Sequence, residues 1–231
     1  MIAVVIPVLG RPEAVLRVAD SLEHMTHGAY RLFFLCSPGD DAAIEAVERT
    51  GADYRVVMWH PDKADFAMKT NLGFRLTNEP YVFLGATDLR FHVSWDLHVL
   101  LVAQETGAGV IGTDDMGNPL VRRGKHATHA LVRRTYIEEC GGTFDEEPGV
   151  VYAECYDHQC VDNELVFVAQ ERGQWAFAAN SKVEHLHPLW RKGTMDPVYQ
   201  KALARGQADI RIFASRRADW TARRGRTKVG A

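Results

Sequence analysis

The sequence predicts an α/β fold with a mostly parallel central sheet flanked by helices. Strand and helix patterns alternate four times within about the first 110 residues, which is typical of parallel strands joined by crossover helices. The predicted strands are short, continuous apolar runs, as expected for strands buried on both faces. The first run extends from Ile2 to Leu9 and is interrupted only by Pro7, which we expect to mark its end.

In the first half, each predicted strand is followed by a helix with a recognisable start or stop signal. Pro12 suits the first turn of a helix, because its missing N–H costs nothing there. The elements that follow are a strand at 31–36, a helix capped by Asp40 or Asp41 and ended by Gly51, a strand at 54–59, a helix capped by Asp65, a strand at 81–84, a helix capped by Ser94 that runs to about Thr106, and a strand at 109–112.

The second half is richer in loops, and residues 144–164 are acidic. Its predicted elements are a strand at 127–133, a short helix with a Thr135–Glu138 capping box that stops at Gly141, a helix opened by Asp162 and ended by Gly173, strands at 175–178 and 182–185, a helix from Asp196 to about Gly206, and a last helix at 208–222.

The composition is that of an ordinary globular protein. The chain has 231 residues, of which 46% are hydrophobic and 25% charged. Its net charge of -3 argues against a protein that coats nucleic acid through global charge. No apolar run approaches the roughly 18 residues of a membrane span, and the N-terminus lacks the basic leader of a secretion signal.

The four cysteines form no CxxC pair, so we expect reduced thiols in a cytoplasmic protein. An alternative uses Cys155, His158 and Cys160, with a histidine from 185 to 187, as a zinc site. This spacing matches no common zinc module.

The tail from Arg216 to Lys228 contains six basic residues and one acid. These residues could contact the phosphates of a nucleic acid or an acidic surface. A solvated, partly disordered terminus is the alternative that we favour.

Asp88 is the carboxylate on which a functional interpretation depends. It follows the apolar strand 81–84 after Gly85, Ala86 and Thr87. Open α/β sheets bind their ligands just past the carboxyl ends of central strands, which is where this residue is expected to lie. A simple turn-capping role is the alternative.

The order of several segments resembles the GT-A nucleotide-sugar glycosyltransferases, especially the family 2-like group. The resemblance covers roughly residues 2–188 and implies one GT-A-like domain. Its halves would be a nucleotide-sugar-binding part at about 1–112 and an acceptor and catalytic part at about 113–190, followed by a helical extension with a basic tail at 191–231. It rests on the segments VVIPVLGRPEAV, KTNLGFRLTNEPYVFLGATDLRF, ALVRRTYIEECGGTFDE, DNELVFVAQERG and VEHLHP.

This resemblance implies transfer of a hexose from a nucleotide-diphosphate sugar, with a UDP-sugar as first expectation, to a hydroxyl acceptor. The transfer would be metal-assisted and inverting. Asp88 stands where the last carboxylate of the family's DxD motif binds Mn²⁺ or Mg²⁺, whereas Ala86 replaces the first carboxylate. One of His185 and His187 would complete the metal site.

The resemblance also implies a catalytic base and a donor site. Asp162 is the first choice for the base and Glu164 the second, although Asp162 could instead be only a helix cap. His126 and His129 are interpreted as acceptor-loop or structural residues. The residues expected to border or bind the donor are Pro7, Leu9, Arg11, Ser37, Lys69, Thr87 and Asp88.

Two other functions stay open. The missing first carboxylate would suit a nucleotide-sugar-binding protein without transfer activity. A sugar-phosphate nucleotidyltransferase would have a similar sheet, but GRPEAV matches its Gly-rich, basic loop poorly. A protein, a saccharide or a modified DNA base would each fit as the acceptor, and a polyprenyl lipid is less favoured.

Overall fold

The computed structural model describes residues 1–58 and 65–229, and side chains as far as residue 225. In this part of the chain, eight strands form one sheet in the order β3-β2-β1-β4-β7-β6-β8-β5. The strands are β1 Ile2–Pro7, β2 Tyr30–Cys36, β3 Asp53–Val56, β4 Tyr81–Leu84, β5 Leu89–Phe91, β6 Val110–Asp114, β7 Ala130–Arg133 and β8 Trp175–His185. The helices are α1 Pro12–Met25, α2 Asp41–Thr50, α3 Phe66–Leu76, α4 Trp95–Thr106, α5 Pro119–Arg122, α6 Arg134–Cys140, α7 Val161–Glu171 and α8 Pro197–Val229, with a 3₁₀ turn at Pro188–Trp190.

The predicted α/β class is confirmed, but the sheet is mixed. Strands β1, β2, β3 and β4 are parallel to one another, as the alternating pattern predicts. Strand β7 then runs antiparallel between β4 and β6, and β5 runs antiparallel to β8. Strand β6 is again parallel to β8.

The continuous apolar strands are explained by a core on each side of the sheet. Along β1, Ala3 and Val5 pack into one apolar cluster, whereas Val4 and Ile6 pack into the other. Successive side chains of a strand point to opposite faces, so a strand covered on both faces needs an apolar residue at every position.

Several predicted helix caps are wrong. Asp65 and Ser94 stand at N-cap positions but accept no capping hydrogen bond. Asp65 is instead paired with Lys69. The Thr135 capping box is absent, since α6 begins one residue earlier. Asp162 lies inside the first turn of α7, and Cys160 takes the N-cap position.

Three predicted boundaries also differ. The two strands predicted at 175–185 are one strand, β8, and the two C-terminal helices are one helix, α8. Gly206 does not end that helix. It allows close approach to Gln159, because a Cβ at Gly206 would lie 2.4 Å from Gln159 Oε1. The end of the strand predicted at 54–59 falls outside the described residues, which show it as Asp53–Val56.

Helix α8 is anchored to the body of the protein by residues of the basic tail that we expected to be solvated. Trp220 is buried against Phe144 and Val168. Arg216 hydrogen bonds to Glu164 with Nη2 at 2.8 Å, and Arg223 donates to the carbonyl oxygen of Phe144. A solvated terminus is therefore the wrong interpretation of 216–223. None of the described helices combines the length and apolar composition needed to cross a bilayer.

Glu164 holds this anchor, and replacing it is expected to destabilise the fold. Its side chain is 1% exposed and accepts from Tyr156 Oη, from the Phe144 amide and from Arg216. Glu164→Gln should lower the free energy of unfolding by about 3 kcal/mol, since a buried carboxylate that accepts from several donors becomes a neutral amide that can no longer accept from all of them. Urea denaturation measures this loss. Glu171→Gln, at an exposed position of the same helix, is the matched control. Equal free energies of unfolding for the two variants would show that Glu164 does not stabilise the fold.

Candidate functional site

A cleft of about 430 Å³ opens at the carboxyl ends of β1 and β4. Pro7 is the last residue of β1, Leu9 and Arg11 follow it, and all three line the cleft, which Thr87 and Asp88 reach from the end of β4. The structure therefore brings these five predicted donor-side residues together. This is the position at which parallel α/β sheets bind ligands.

Asp88 is positioned by the pairing of β5 with β8. Leu89 lies opposite His185 in the antiparallel register, and the Asp88 carbonyl oxygen accepts from the Leu186 amide at 2.8 Å. The His185 ring is consequently held beside the carboxylate, with Nε2 3.3 Å from Asp88 Oδ2. Sequence patterns did not predict β5, because three residues are too few to show a period.

Asp88, His129 and His185 form a group able to hold a metal ion, which we call the metal-capable group. One ligand atom from each lies within 4.8 Å of the others. His129 Nδ1 is 3.0 Å from the Leu84 carbonyl oxygen, to which it must donate, so Nε2 keeps a free lone pair. That Nε2 and His185 Nδ1 are buried without a hydrogen-bond partner. Buried polar atoms of this kind are costly, and a divalent cation ligated by an imidazole nitrogen would satisfy them.

The charges of this group suit a cation. Burial lowers the pKa of His129 to about 4, aided by the neighbouring charge of His185, so its ring is neutral at pH 7. Burial acts to raise the pKa of Asp88, but His185 and the Tyr199 hydroxyl outweigh it and hold that pKa far below its usual range. One anionic oxygen ligand and a neutral imidazole are therefore available. Burial acts to lower the pKa of His185, but Asp88 outweighs it and raises that pKa, so His185 must lose a proton before it can bind a metal ion.

The first turn of α8 covers Asp88. Tyr199 Oη donates to Asp88 Oδ2 at 2.6 Å, and Arg11 Nη1 is 3.7 Å from the same oxygen. Arg11 also pairs with Asp196 at 2.6 Å and lies over the Tyr199 ring, 3.9 Å from its centroid. Sequence reasoning missed Tyr199, because it is separated from Asp88 by 111 residues and carries no local motif.

His187 lies beside the metal-capable group but is not part of it. Strand β8 ends at His185, so His187 lies beyond the strand. The His187 ring contacts the rings of His185 and Tyr199, and its Nδ1 accepts from the Leu189 amide. Burial lowers its pKa to about 4, with a contribution from His185.

Asp162 lines the cleft and is paired with His126, whose Nε2 is 3.2 Å from Asp162 Oδ2. Burial acts to raise the pKa of Asp162, but the hydrogen bond and charge of His126 lower it below its usual range. An ionised carboxylate that faces a cleft can accept a proton from a bound hydroxyl group.

Three predicted site residues lie outside the cleft. Lys69 is 0% exposed, and its Nζ donates to the Val8 carbonyl oxygen and to Ser37 Oγ, each at 2.6 Å. Lys69 therefore cannot reach a phosphate, and Ser37 is buried beneath it. Glu164 is enclosed by the anchor of α8. The structure contradicts the donor-binding roles of Lys69 and Ser37 and the role of Glu164 as a base.

The alternative zinc site is not supported. Cys155 is exposed, Cys160 is buried, and His158 packs edge-on against Phe66. In the part of the chain that the structure describes, Asp88, His129 and His185 are the one group of three or more such ligands arranged around a common point.

Comparisons with known proteins identify the fold through structure. No protein-family model and no curated protein matches the sequence. Glucosyl-3-phosphoglycerate synthase from Mycobacterium tuberculosis, in complex with Mn²⁺, UDP and phosphoglyceric acid, has a TM-score of 0.63 at 16% identity, over 94% of this chain and 78% of that one. The mannosyltransferase PcManGT from Pyrobaculum calidifontis, in complex with GDP-Man and Mn²⁺, has a TM-score of 0.63 at 14% identity, over 80% and 57%.

A third similar structure is that of residues 1–349 of TarS from S. aureus in complex with UDP-GlcNAc. It has a TM-score of 0.62 at 10% identity, over 79% of this chain and 57% of that one. The present chain thus spans little more than half of PcManGT and of this TarS structure. Likeness at such identities establishes the fold. The chain has the fold of the GT-A nucleotide-sugar glycosyltransferases, as its sequence segments implied.

Proposed function

We propose that this protein is a metal-assisted glycosyltransferase that moves a sugar from a nucleotide-diphosphate sugar to a hydroxyl acceptor. The observation that carries the proposal is the group Asp88, His129 and His185 in the cleft at the ends of β1 and β4. Two of the similar structures hold Mn²⁺ together with UDP or GDP-Man, which supports the same ligand classes here.

Asp88, His129 and His185 would hold Mn²⁺ or Mg²⁺. When bound, such an ion stabilises the negative charge that develops on the departing nucleoside diphosphate. His129 would supply the ligand that Ala86 cannot, since Ala86 stands in place of the first carboxylate of the DxD pattern. Pro7, Leu9 and Arg11 would border the nucleotide, with UDP as the first expectation.

Asp162 would act as the general base. It would remove the proton from the acceptor hydroxyl as that oxygen attacks the anomeric carbon and the bond to the diphosphate breaks. His126, 3.2 Å from Oδ2, would hold the carboxylate in place. A single displacement of this kind inverts the anomeric configuration.

A thermal-shift screen tests the donor and the metal together. Nucleoside diphosphates and nucleotide sugars are added with Mn²⁺ or with EDTA. One nucleotide should raise the melting temperature in the presence of metal, because a ligand that binds only the folded state stabilises it by mass action. Asp88→Ala and His129→Ala should abolish the metal-dependent rise, whereas His24→Ala, at an exposed site of α1, should retain it. No shift with any nucleotide would refute the proposal.

Asp162→Asn is expected to separate chemistry from binding. Loss of the base should lower kcat by roughly 10²- to 10⁴-fold, while the donor-dependent rise in melting temperature stays unchanged. Steady-state transfer assays measure the rate. Glu171→Gln, an exposed acid in the same helix, is the control. Full activity of the Asn variant would exclude Asp162 as base. Donor binding with neither transfer nor hydrolysis in the unmodified protein would favour a binding protein.

Tyr199→Phe is expected to tighten metal binding. The Tyr199 hydroxyl donates to the Asp88 oxygen, and a hydrogen bond to a charged group competes with a cation for that oxygen. Its loss should lower the Kd for Mn²⁺ by about tenfold, measured by isothermal titration calorimetry. Tyr54→Phe removes a phenol that is hydrogen bonded to Glu48 and serves as the control. An unchanged or weaker affinity of the Tyr199 variant would show that its hydroxyl does not compete.

A further inference from the structure

Four apolar side chains from the second half of the chain border the cleft, and we call them the apolar rim. Leu120 belongs to α5, Leu189 and Trp190 to the 3₁₀ turn, and Leu203 to α8. The three leucines are 52%, 58% and 41% exposed, in this order.

The apolar rim is a built feature of the cleft. Trp190 packs over Gly117, where a Cβ would lie 2.7 Å from its Cγ. Single exposed leucines are common on protein surfaces and need no explanation. Several exposed apolar side chains at the edge of one cleft indicate a binding site. Small-molecule sites are lined mainly by apolar groups, with a few polar groups that orient the ligand. A ligand that covers the apolar rim would remove this apolar area from water.

Charge at the cleft disfavours an anionic acceptor. Among the described residues, Arg11 is the one lysine or arginine that lines the cleft, and it is already paired with Asp196. Asp88 and Asp162 lie there as well, whereas the charge of Asp65 is balanced by Lys69. The donor diphosphate would occupy the bound cation and Arg11. A phosphate or carboxylate on the acceptor would then lie near the Asp162 carboxylate, and this repulsion costs binding energy.

We infer that the acceptor is a small, uncharged hydroxyl compound with an apolar face, such as an aryl or alkyl glycoside. This inference rests on the proposed function and names the substrate class of the same site. The apolar part of the acceptor lies against the apolar rim, and its hydroxyl meets Asp162. The new bond joins the hydroxyl oxygen to the anomeric carbon, the carbon–oxygen bond to the diphosphate breaks, the proton passes to Asp162 and the nucleoside diphosphate leaves.

The test compares acceptors that offer the same sugar hydroxyls but differ in their apolar part. The unmodified protein is assayed with Mn²⁺ and each nucleotide sugar of the thermal-shift screen. The acceptors are methyl, phenyl and octyl glycosides of glucose and mannose, together with 3-phosphoglycerate as the anionic probe. Phenyl and octyl glycosides should exceed their methyl counterparts at least tenfold in kcat/KM, because even one methylene in an apolar pocket changes kcat/KM by about tenfold or more.

Substitutions in the apolar rim test whether these residues cause the preference for acceptors with an apolar part. Leu120→Ala and Leu189→Ala should each raise KM for the phenyl glycoside by roughly tenfold, so that its advantage over the methyl glycoside is lost. Leu101→Ala is the matched control, since this leucine is 51% exposed on α4 and does not line the cleft. Melting temperatures identify any variant that fails to fold, and the comparison of acceptors on the unmodified protein is then decisive.

The outcomes separate the two proposals. Donor binding or hydrolysis with equal use of methyl and phenyl glycosides would overturn the inference and leave the glycosyltransferase standing. A preference for 3-phosphoglycerate, or for a protein or DNA acceptor, would also overturn the inference and leave the glycosyltransferase proposal standing. Failure of every nucleotide sugar to bind would overturn the proposed function, and the inference with it.

Discussion

The antiparallel pairing of β5 with β8 is the constraint on which the candidate site depends. It sets Leu89 opposite His185 and thereby holds the Asp88 carboxylate beside a ring that is 97 residues away in the sequence. The antiparallel pairing of β4 with β7 does the same for His129, whose ring reaches the carbonyl oxygen of Leu84 from the start of β7. The two departures from a parallel sheet thus assemble the metal-capable group.

Two of the protein's networks of buried charge include residues of helix α8. One is the site itself, where the Asp88 anion is balanced by His185, Arg11 and the Tyr199 hydroxyl. The other is structural, with Glu164 fully satisfied by the anchor of α8. Both involve α8, whose first turn covers the cleft and whose later turns bind the body. This helix therefore couples the stability of the fold to the geometry proposed for the site.

Local patterns, together with the resemblance to GT-A segments, predicted the parts of the site that lie next to a strand end. Pro7, Leu9, Arg11 and Asp88 reach the cleft because chain segments leaving β1 and β4 emerge at one edge of the sheet. The same reasoning failed for Lys69. A lysine in a helix pattern is expected at the surface, and only its contacts with Val8 and Ser37 reveal that it is buried.

The sequence by itself determined the α/β class, the donor-side edge of the sheet and the candidate carboxylates Asp88 and Asp162. The class and the place of Asp88 depend on periodicity and on strand ends, which are local properties, whereas the donor-side residues and Asp162 follow from the resemblance to GT-A segments. The tertiary structure alone decided that His129 joins Asp88 while His187 does not, and that Tyr199 covers them. Those choices depend on strand register and on the docking of α8, which bring together residues that no local pattern relates.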